Sequence, residues 1–568
     1  MKKHLVRIII AVMLFTLNVG CAGSNPDSES DSKSGSVSAA SSSIHIDSNS
    51  KQVSVADYGV VADSFESAKA NTGALKKLIK SCPEGSTINF SSGKYYFASD
   101  RGCISIASKK SLSLVGDNAV IINTSFDPTV PVTDKTYHDS MTVDIYNSEN
   151  IRIEGLDFDY YRYTQVCGTI VEKDTGKTVI EVDPRFIDGT DKPAITGKEI
   201  ATAVAVLDKN GAAIYDYCAV DKYDSWLDGN KLYIIGSFGE VGKDAVVRFN
   251  ISTAPEFYAQ AVSSLTVERV HSYSAPGETF FMSGEGNSNF NFKQVIIAPP
   301  EGAAWRWGSN VDGIFLNCMR GEVNVIDCKF VGMGDDSLNV HSSAAKVISV
   351  DGDKITLNYG YDNSAVNSTW AQKGDVLRIY KEDFAVAATA TVAKIKGNVL
   401  TVTVTSGAIS AGDYVENESL SPRVNVENTT VNGGRARAFL IQTDNVTIKN
   451  CTISNLGLAG IIISPDLRRW YEMGPSENII VSGCTFDNVC AMRSDNCKGA
   501  IFTASSHDGW ATNNIIHKNI TVTGNCFSNI SVPALNFNSV DGLTVKNNTY
   551  AAGVLPPVTS NCVNTVIE

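Results

Sequence analysis

Val446-Thr447-Ile448-Lys449-Asn450-Cys451-Thr452-Ile453 reads as two short strands joined by a polar corner. Apolar and polar side chains alternate along its first half, so a strand here has one face to bury. Asn450 stands where the chain must turn, and Asn is a residue that tolerates the turn's backbone. The unit returns as Val323-Asn324-Val325-Ile326-Asp327-Cys328-Lys329-Phe330 and as Ile479-Ile480-Val481-Ser482-Gly483-Cys484-Thr485-Phe486. It returns again over 151–158 and 520–527, the last with its Cys one place later. The first, third and eighth positions stay apolar throughout. One such unit cannot bury its own apolar face, so copies must stack, and stacked coils of roughly 20–25 residues make a parallel β-helix. A β-sandwich is the competing all-β arrangement, but the hairpin turns it needs, such as Asn-Gly, are scarce outside 431–434.

Two stretches break the coil pattern. Residues about 160–255 and 343–420 carry longer alternating strands with Asp-Gly, Lys-Asn-Gly and Gly-Asp turns, as in Val347-Ile348-Ser349-Val350-Asp351-Gly352-Asp353-Lys354-Ile355. These read as antiparallel hairpins forming two small β-barrel-like insertions. Upstream, Val53 to Gly59 reads as a strand and Ala70 to Ile79 as an amphipathic helix, with Ile88-Asn89-Phe90 and Gly93-Lys94-Tyr95-Tyr96-Phe97 as the first coil. That order resembles the N-terminal cap of pectinase-type β-helices, whose work is to cover the open end of an apolar column.

The first residues have a different character. Met1-Lys2-Lys3 and Arg7 give a positive start, and Ile8 to Leu17 form an apolar run too short to span a bilayer. Leu17-Asn18-Val19-Gly20-Cys21 resembles a bacterial lipoprotein cleavage site, with Cys21 as the lipidated residue. The expected organisation is a lipoprotein signal peptide over 1–21, a flexible Ser/Asp-rich linker over 22–50, and a β-helix catalytic domain over 51–568. An ordinary secretion signal is the alternative. Export permits disulfides, yet the 13 Cys form no compact framework. Most read as buried small hydrophobes, and Cys490 and Cys497 are the pair placed to join. No Cys/His spacing resembles a zinc site.

The chemistry-bearing segments are Asn310-Val311-Asp312-Gly313-Ile314 and Gly332-Met333-Gly334-Asp335-Asp336-Ser337-Leu338-Asn339-Val340-His341. Asp312 and Asp335 lie 23 residues apart, about one coil. Equivalent positions on adjacent coils are about 4.8 Å apart, so Asp312 falls beside the Asp335-Asp336 pair, with Gly334 supplying a bend. Three carboxylates in one patch raise at least one pKa, which leaves a protonated acid beside ionised bases. Hydrolysis of a glycosidic bond needs that combination. Isolated aspartates would read instead as coil-corner or calcium-binding residues.

Val-Asp-Gly-Ile followed by Gly-Asp-Asp resembles the family 28 polygalacturonases, whose later Gly-His-Gly and Arg-Ile-Lys motifs are absent. A closer resemblance is to glycoside hydrolase family 110, the α-1,3-galactosidases of gut and marine bacteria. It is carried by the Asp335 to His341 stretch, by Arg437-Ala438-Phe439-Leu440-Ile441 and by Trp470-Tyr471-Glu472-Met473-Gly474-Pro475. It spans roughly residues 53–560, departing from the family at Met473, Ala438 and Ser337. The resemblance implies a right-handed β-helix and an inverting exo-α-galactosidase without metal or organic cofactor. Asp335 would be the general acid, and Asp312 and Asp336 would hold and deprotonate the attacking water. Beside the resemblance, Trp470 and Tyr471 read as sugar-stacking or as packing aromatics, Glu472 as a hydroxyl contact, Arg437 and His341 as hydroxyl contacts or coil-corner supports, and Trp307 of the Trp305-Arg306-Trp307 loop as part of the cleft rim.

The expected partner is a carbohydrate with a terminal α-galactose. A formal net charge of −13 argues against a general binder of nucleic acid or anionic membrane, so membrane contact is expected only through the lipid. Two alternatives remain: a polygalacturonase-like hydrolase of acidic polysaccharide, disfavoured by the acidic charge, and a noncatalytic glycan-binding β-helix protein, disfavoured by the aspartate cluster. The location is testable directly. Cys21→Ser should move the protein from the membrane fraction to the soluble one, and unchanged fractionation would count against lipidation.

Overall fold

The computed structural model describes residues 51–568 apart from 100, 468–469, 493–496 and 505–513. The leader and linker expectations, Cys21 included, lie outside the described residues. The chain winds into a right-handed parallel β-helix in which each full coil supplies three short strands. Arg423–Glu427, Thr430–Gly434 and Phe439–Ile441 form one coil, stacked on Val446–Lys449, Thr452–Ser454 and Ile461–Ile463. Pairing between the coils is parallel and in direct register: Val424 meets Val446, Val431 meets Ile453, and Phe439 meets Ile461.

That register turns the sequence repeat into continuous apolar columns. Leu265, Phe290, Val323, Val424, Val446, Ile479, Ile520 and Leu543 follow one another on successive coils, all buried. Burying each such side chain contributes about 1.5–3 kcal/mol. The polar corners stack as well. Asn445, Asn478 and Asn519 all have left-handed backbone, φ 58°, 61° and 53°. Their amides form a ladder, Asn519 donating to Asn478 and Asn478 to Asn445, each at 3.1 Å. Asn is among the few side-chain-bearing residues that adopt this conformation readily, which is why it marks the corners.

The helix Ala68–Ser81 covers the N-terminal end, with Leu75, Leu78 and Ile79 joining Val53 and Val55 in the core. The expected strand from Val53 to Gly59 is only half a strand. It stops at Ser54, whose hydroxyl accepts the Ala56 N–H at 3.3 Å, and the chain continues as a 3₁₀ turn closed by left-handed Gly59.

The two stretches that break the pattern form sheets of their own. Strands between Gln165 and Phe249 make a seven-stranded antiparallel sheet of open order. Strands between Ala345 and Asn417 close into a six-stranded barrel around Trp370, Leu377 and Ile379. Cys490 and Cys497 are joined in a disulfide.

The column argument is checked by neighbours on one strand. Ile479→Ala, at a fully buried column position, should cost about 2–5 kcal/mol. Ile480→Ala, at a position 43% exposed, should stay within about 0.5 kcal/mol. Urea denaturation midpoints measure both, and equal shifts would refute the assignment of faces.

Candidate active site

Corner residues just before the strands Phe280–Met282, Ile314–Asn317, Leu338–Ser343 and Phe439–Ile441 fall into one file. Backbone hydrogen bonds fix the register: Thr279 N–H donates to the Asp312 carbonyl, Gly313 N–H to Asp336, and Ser337 N–H to Arg437. Glu278, Asp312, Asp336 and Arg437 are therefore neighbours on successive coils, about 4.8 Å apart along the backbone. Asp335 stands one residue outside the file and reaches solvent.

The close approach at Gly334 makes this possible. A Cβ there would lie 1.8 Å from the Asn310 carbonyl oxygen. Without a side chain, the 334–336 corner lies flat against the preceding coil, with Gly334 N–H on Ser309 and Asp335 N–H on Val311, both at 3.0 Å. The Asp312 carboxylate then accepts the Asp336 N–H at 2.6 Å.

Each carboxyl meets a different environment. Asp336 is buried and gripped by Arg437, whose Nε donates to Oδ1 at 2.6 Å and Nη2 to Oδ2 at 2.7 Å. Burial, with the Asp335 charge adding to it, still leaves Asp336 above the usual carboxylate range against the pull of Arg437. Asp312 is 5% exposed. Burial pushes it well above the usual range, and the charges of Asp335, Asp336 and Glu278 push further. Burial would raise Asp335 too, but the guanidiniums of Arg435 and Arg437 outweigh it and hold this carboxyl below its ordinary value. Arg435 lies 2.8 Å from Asp335 and donates to the Gly334 carbonyl at 2.6 Å. Glu278 is pushed up to about 7 by burial and by Asp335.

The patch thus sets a carboxyl lowered by guanidiniums beside carboxyls raised by burial, the divergence of environments that acid–base chemistry uses. The sequence expectation made Asp335 the acid without its neighbour Arg435, which lies one hundred positions further along and whose guanidinium lowers the Asp335 carboxyl. Asp312, Asp335 and Asp336 bring carboxylate oxygens within 4.8 Å of one another, but Arg435 and Arg437 already supply the positive charge a bound cation would bring.

The first insertion reaches into this site. Arg248, from the strand Asp244–Phe249, donates to the Asn310 and Gly334 carbonyls at 3.0 and 3.1 Å. It also pairs with Asp216 at 2.5 Å, and Asp216 lies 3.5 Å from Arg435. None of these groups was visible as a site residue in the sequence.

The other expected residues divide. His341 is buried edge-on to Phe315, with its Nε2 3.7 Å from Glu472, and burial lowers it to about 4. Glu472 is raised to about 8 by burial and Asp466, and is charge-coupled to Arg437 and Asp336. Both therefore adjoin the file. Arg437 is committed to Asp336. Tyr471 stacks on Tyr414 of the barrel, with centroids 6.4 Å apart, and Trp470 N–H donates to Asp466 at 3.0 Å. Trp307 does not rim the cleft: it is 2% exposed, packed with Trp305 in the core of the first insertion, and lies under Arg248 at 5.3 Å. An apolar ring beside a packed sheet is buried there, so the substrate-binding expectation for Trp307 is withdrawn.

These carboxyls make stability depend on pH. Folded Glu278 holds its proton to about 7, and Glu256, Glu416 and Glu472 hold theirs to about 8. The unfolded chain releases the same protons above about pH 4.3. Their contribution is complete below that pH and is lost as pH rises through about 7 to 8. The melting temperature should therefore fall between pH 5.5 and 8.5, and a rise across that window would contradict the burial described.

No protein-family model matches the chain. Among curated proteins, it is similar to alpha-1,3-galactosidase A of Bacteroides fragilis, 26% identical over 345 residues, 56% of this chain and 56% of that one. It is similar to alpha-1,3-galactosidase A of Akkermansia muciniphila, 25% identical over 48% of this chain and 46% of that one. It is similar to alpha-1,3-galactosidase B of the same organism, 23% identical over 71% of this chain and 53% of that one. The chain spans about half the length of the curated relatives it matches first. Among solved structures, a polygalacturonase from Erwinia carotovora aligns with 91% of this chain and 96% of its own, at 11% identity and a TM-score of 0.41.

Proposed function

We propose that the protein is a glycoside hydrolase that removes terminal α-1,3-linked galactose from glycans with inversion at the anomeric carbon. The observation that carries the chemistry is the convergence of Asp312, Asp335 and Asp336, whose carboxylate oxygens lie within 4.8 Å of one another, with Asp335 reaching solvent. The names of the similar proteins support the substrate. In this reading Asp312, Asp335 and Arg437-clamped Asp336 share the acid and base roles around the glycosidic bond and the attacking water. Inversion calls for acid and base carboxyls about 6.5–9.5 Å apart, with the water between base and sugar.

An acidic polysaccharide is the weaker substrate. Arg435, Arg437 and Arg248, the described cations at this site, are engaged by Asp335, Asp336 and Asp216, so none is free to receive a substrate carboxylate. The same reading places the protein outside the cytoplasm, tethered to the cell envelope through a lipid on Cys21. The Cys490–Cys497 disulfide supports an oxidising compartment.

Incubation with an α-1,3-linked galactobioside should release free galactose, while polygalacturonate should yield little galacturonic acid. Proton NMR should show β-galactose as the first product, and first appearance of α-galactose would mean retention and a covalent nucleophile. Asp335→Asn should lower kcat by roughly 10²–10⁴-fold. Release of galacturonic acid instead of galactose would reject the proposed substrate.

A further inference from the structure

The inserted sheet reaches the aspartate corner through its outermost strand. Ala213–Tyr223 pairs within that sheet only with Ala201–Leu207. It enters beside the coil corner that carries Arg435, because Ala212 forms a parallel bridge with Gly434. Asp216 lies opposite Ala205, and Arg248, on the strand beyond, lies opposite Ala203. The two alanines leave room for the longer side chains to meet over the strand between them. Arg248 Nη2 donates to Asp216 Oδ1 at 2.5 Å.

Asp216 thereby bridges two guanidiniums. Its Oδ2 lies 3.5 Å from Arg435 Nη1. The other two nitrogens of Arg435 go to the aspartate corner: Nη2 lies 2.8 Å from Asp335 Oδ2, and Nε donates to the Gly334 carbonyl at 2.6 Å. With three acceptors around one planar fork, the guanidinium is fixed in orientation. A plain staple between sheet and coil would need only the bonds from Arg248 to the Asn310 and Gly334 carbonyls. The second oxygen of Asp216 is turned to Arg435 instead.

Charge balance points the same way. The guanidiniums of Arg248, Arg435 and Arg437 all bear on Asp335. Asp336 holds Arg437 at both oxygens. Among the described ion pairs, Asp216 is the carboxylate that shares Arg435 with Asp335 and compensates Arg248. The other groups facing Asp216 are the Cys218 thiol and the Tyr223 phenol, both kept neutral by burial. Asp312, Asp336 and Glu278 complete the groups facing Asp335.

We propose that Asp216 is a positioning residue of the active site: through Arg435 it fixes the Asp335 carboxyl and takes part of the positive charge that would otherwise fall wholly on it. The inference rests on the hydrolase reading above. Asp216 acts without touching substrate. By sharing the guanidinium charge it leaves the three-aspartate corner able to hold a proton, which acid–base hydrolysis requires.

The test is the pH profile of kcat/KM on an α-1,3-linked galactobioside for wild type, Asp216→Asn and Asp216→Glu. Asn keeps the shape and loses the charge, so Arg435 and Arg248 act on the corner uncompensated. The three aspartates titrate as a coupled group. The limb they set should move to lower pH by roughly one pH unit. At the optimum kcat should fall roughly 10–10²-fold, with KM little changed. Asp216→Glu keeps the charge but displaces it, so the limb should stay at its wild-type position while kcat falls. A limb that stays in place in Asp216→Asn, or a loss equal at every pH, overturns the proposal while leaving the hydrolase intact. Should Asp216→Asn fail to fold by circular dichroism, Asp216→Glu carries the test, and a wild-type kcat in that variant overturns the role. A wild type that releases no galactose overturns the hydrolase reading and the role of Asp216 with it.

Discussion

Parallel register between coils is the constraint on which the rest of this structure depends. No coil can bury its own apolar face, so each strand must lie directly on its counterpart in the next coil. The alignment that sets Val446 on Val424 and under Ile479 also sets Glu278, Asp312, Asp336 and Arg437 in file. The step between coils is a backbone property of about 4.8 Å. Carboxyls spaced at that step in a buried corner cannot all be ionised. They keep protons or recruit guanidiniums, and this file does both.

The second organising element comes from outside the helix. Asp216 and Arg248 belong to the first insertion, yet they tie into Arg435 and the Gly334 carbonyl. Arg248 in turn lies over the buried Trp307 ring. The charge on Asp335 is thus set by a chain of contacts that ends in another sheet's core. That insertion is part of the site's electrostatics as well as of the molecule's bulk.

What the sequence reveals follows the range of the signal. Strand alternation and Asn corners are local, so the coils are legible from residues such as 446–453. The aspartates are legible because one coil separates them. Trp307 was misread because an aromatic loop beside an acidic motif looks like a cleft rim, and nothing local shows the sheet that covers it. Glu278 was legible in principle. Glu278-Thr279-Phe280-Phe281-Met282, Asp312-Gly313-Ile314-Phe315-Leu316, Asp336-Ser337-Leu338-Asn339-Val340 and Arg437-Ala438-Phe439-Leu440-Ile441 share one pattern of charged, small, apolar, variable, apolar. Reading by register, and not by aspartate motif, would have found it. Arg435 and Asp216 carry no such pattern: Arg435 stands two residues before the file position on its coil, and Asp216 belongs to the first insertion.

The apolar columns and the charged file tolerate error differently. Val, Ile, Leu and Phe alternate freely along the columns, so a chain stacked one coil out of place would still bury an oily interior. The charged file has no such redundancy, since each coil brings a different group to it. A slipped molecule would be soluble, rich in β-structure and silent. The proposed activity would therefore report winding fidelity as well as chemistry. The first insertion is matched to particular coils in the same way, since Arg248 finds the Asn310 and Gly334 carbonyls only where those two corners lie side by side.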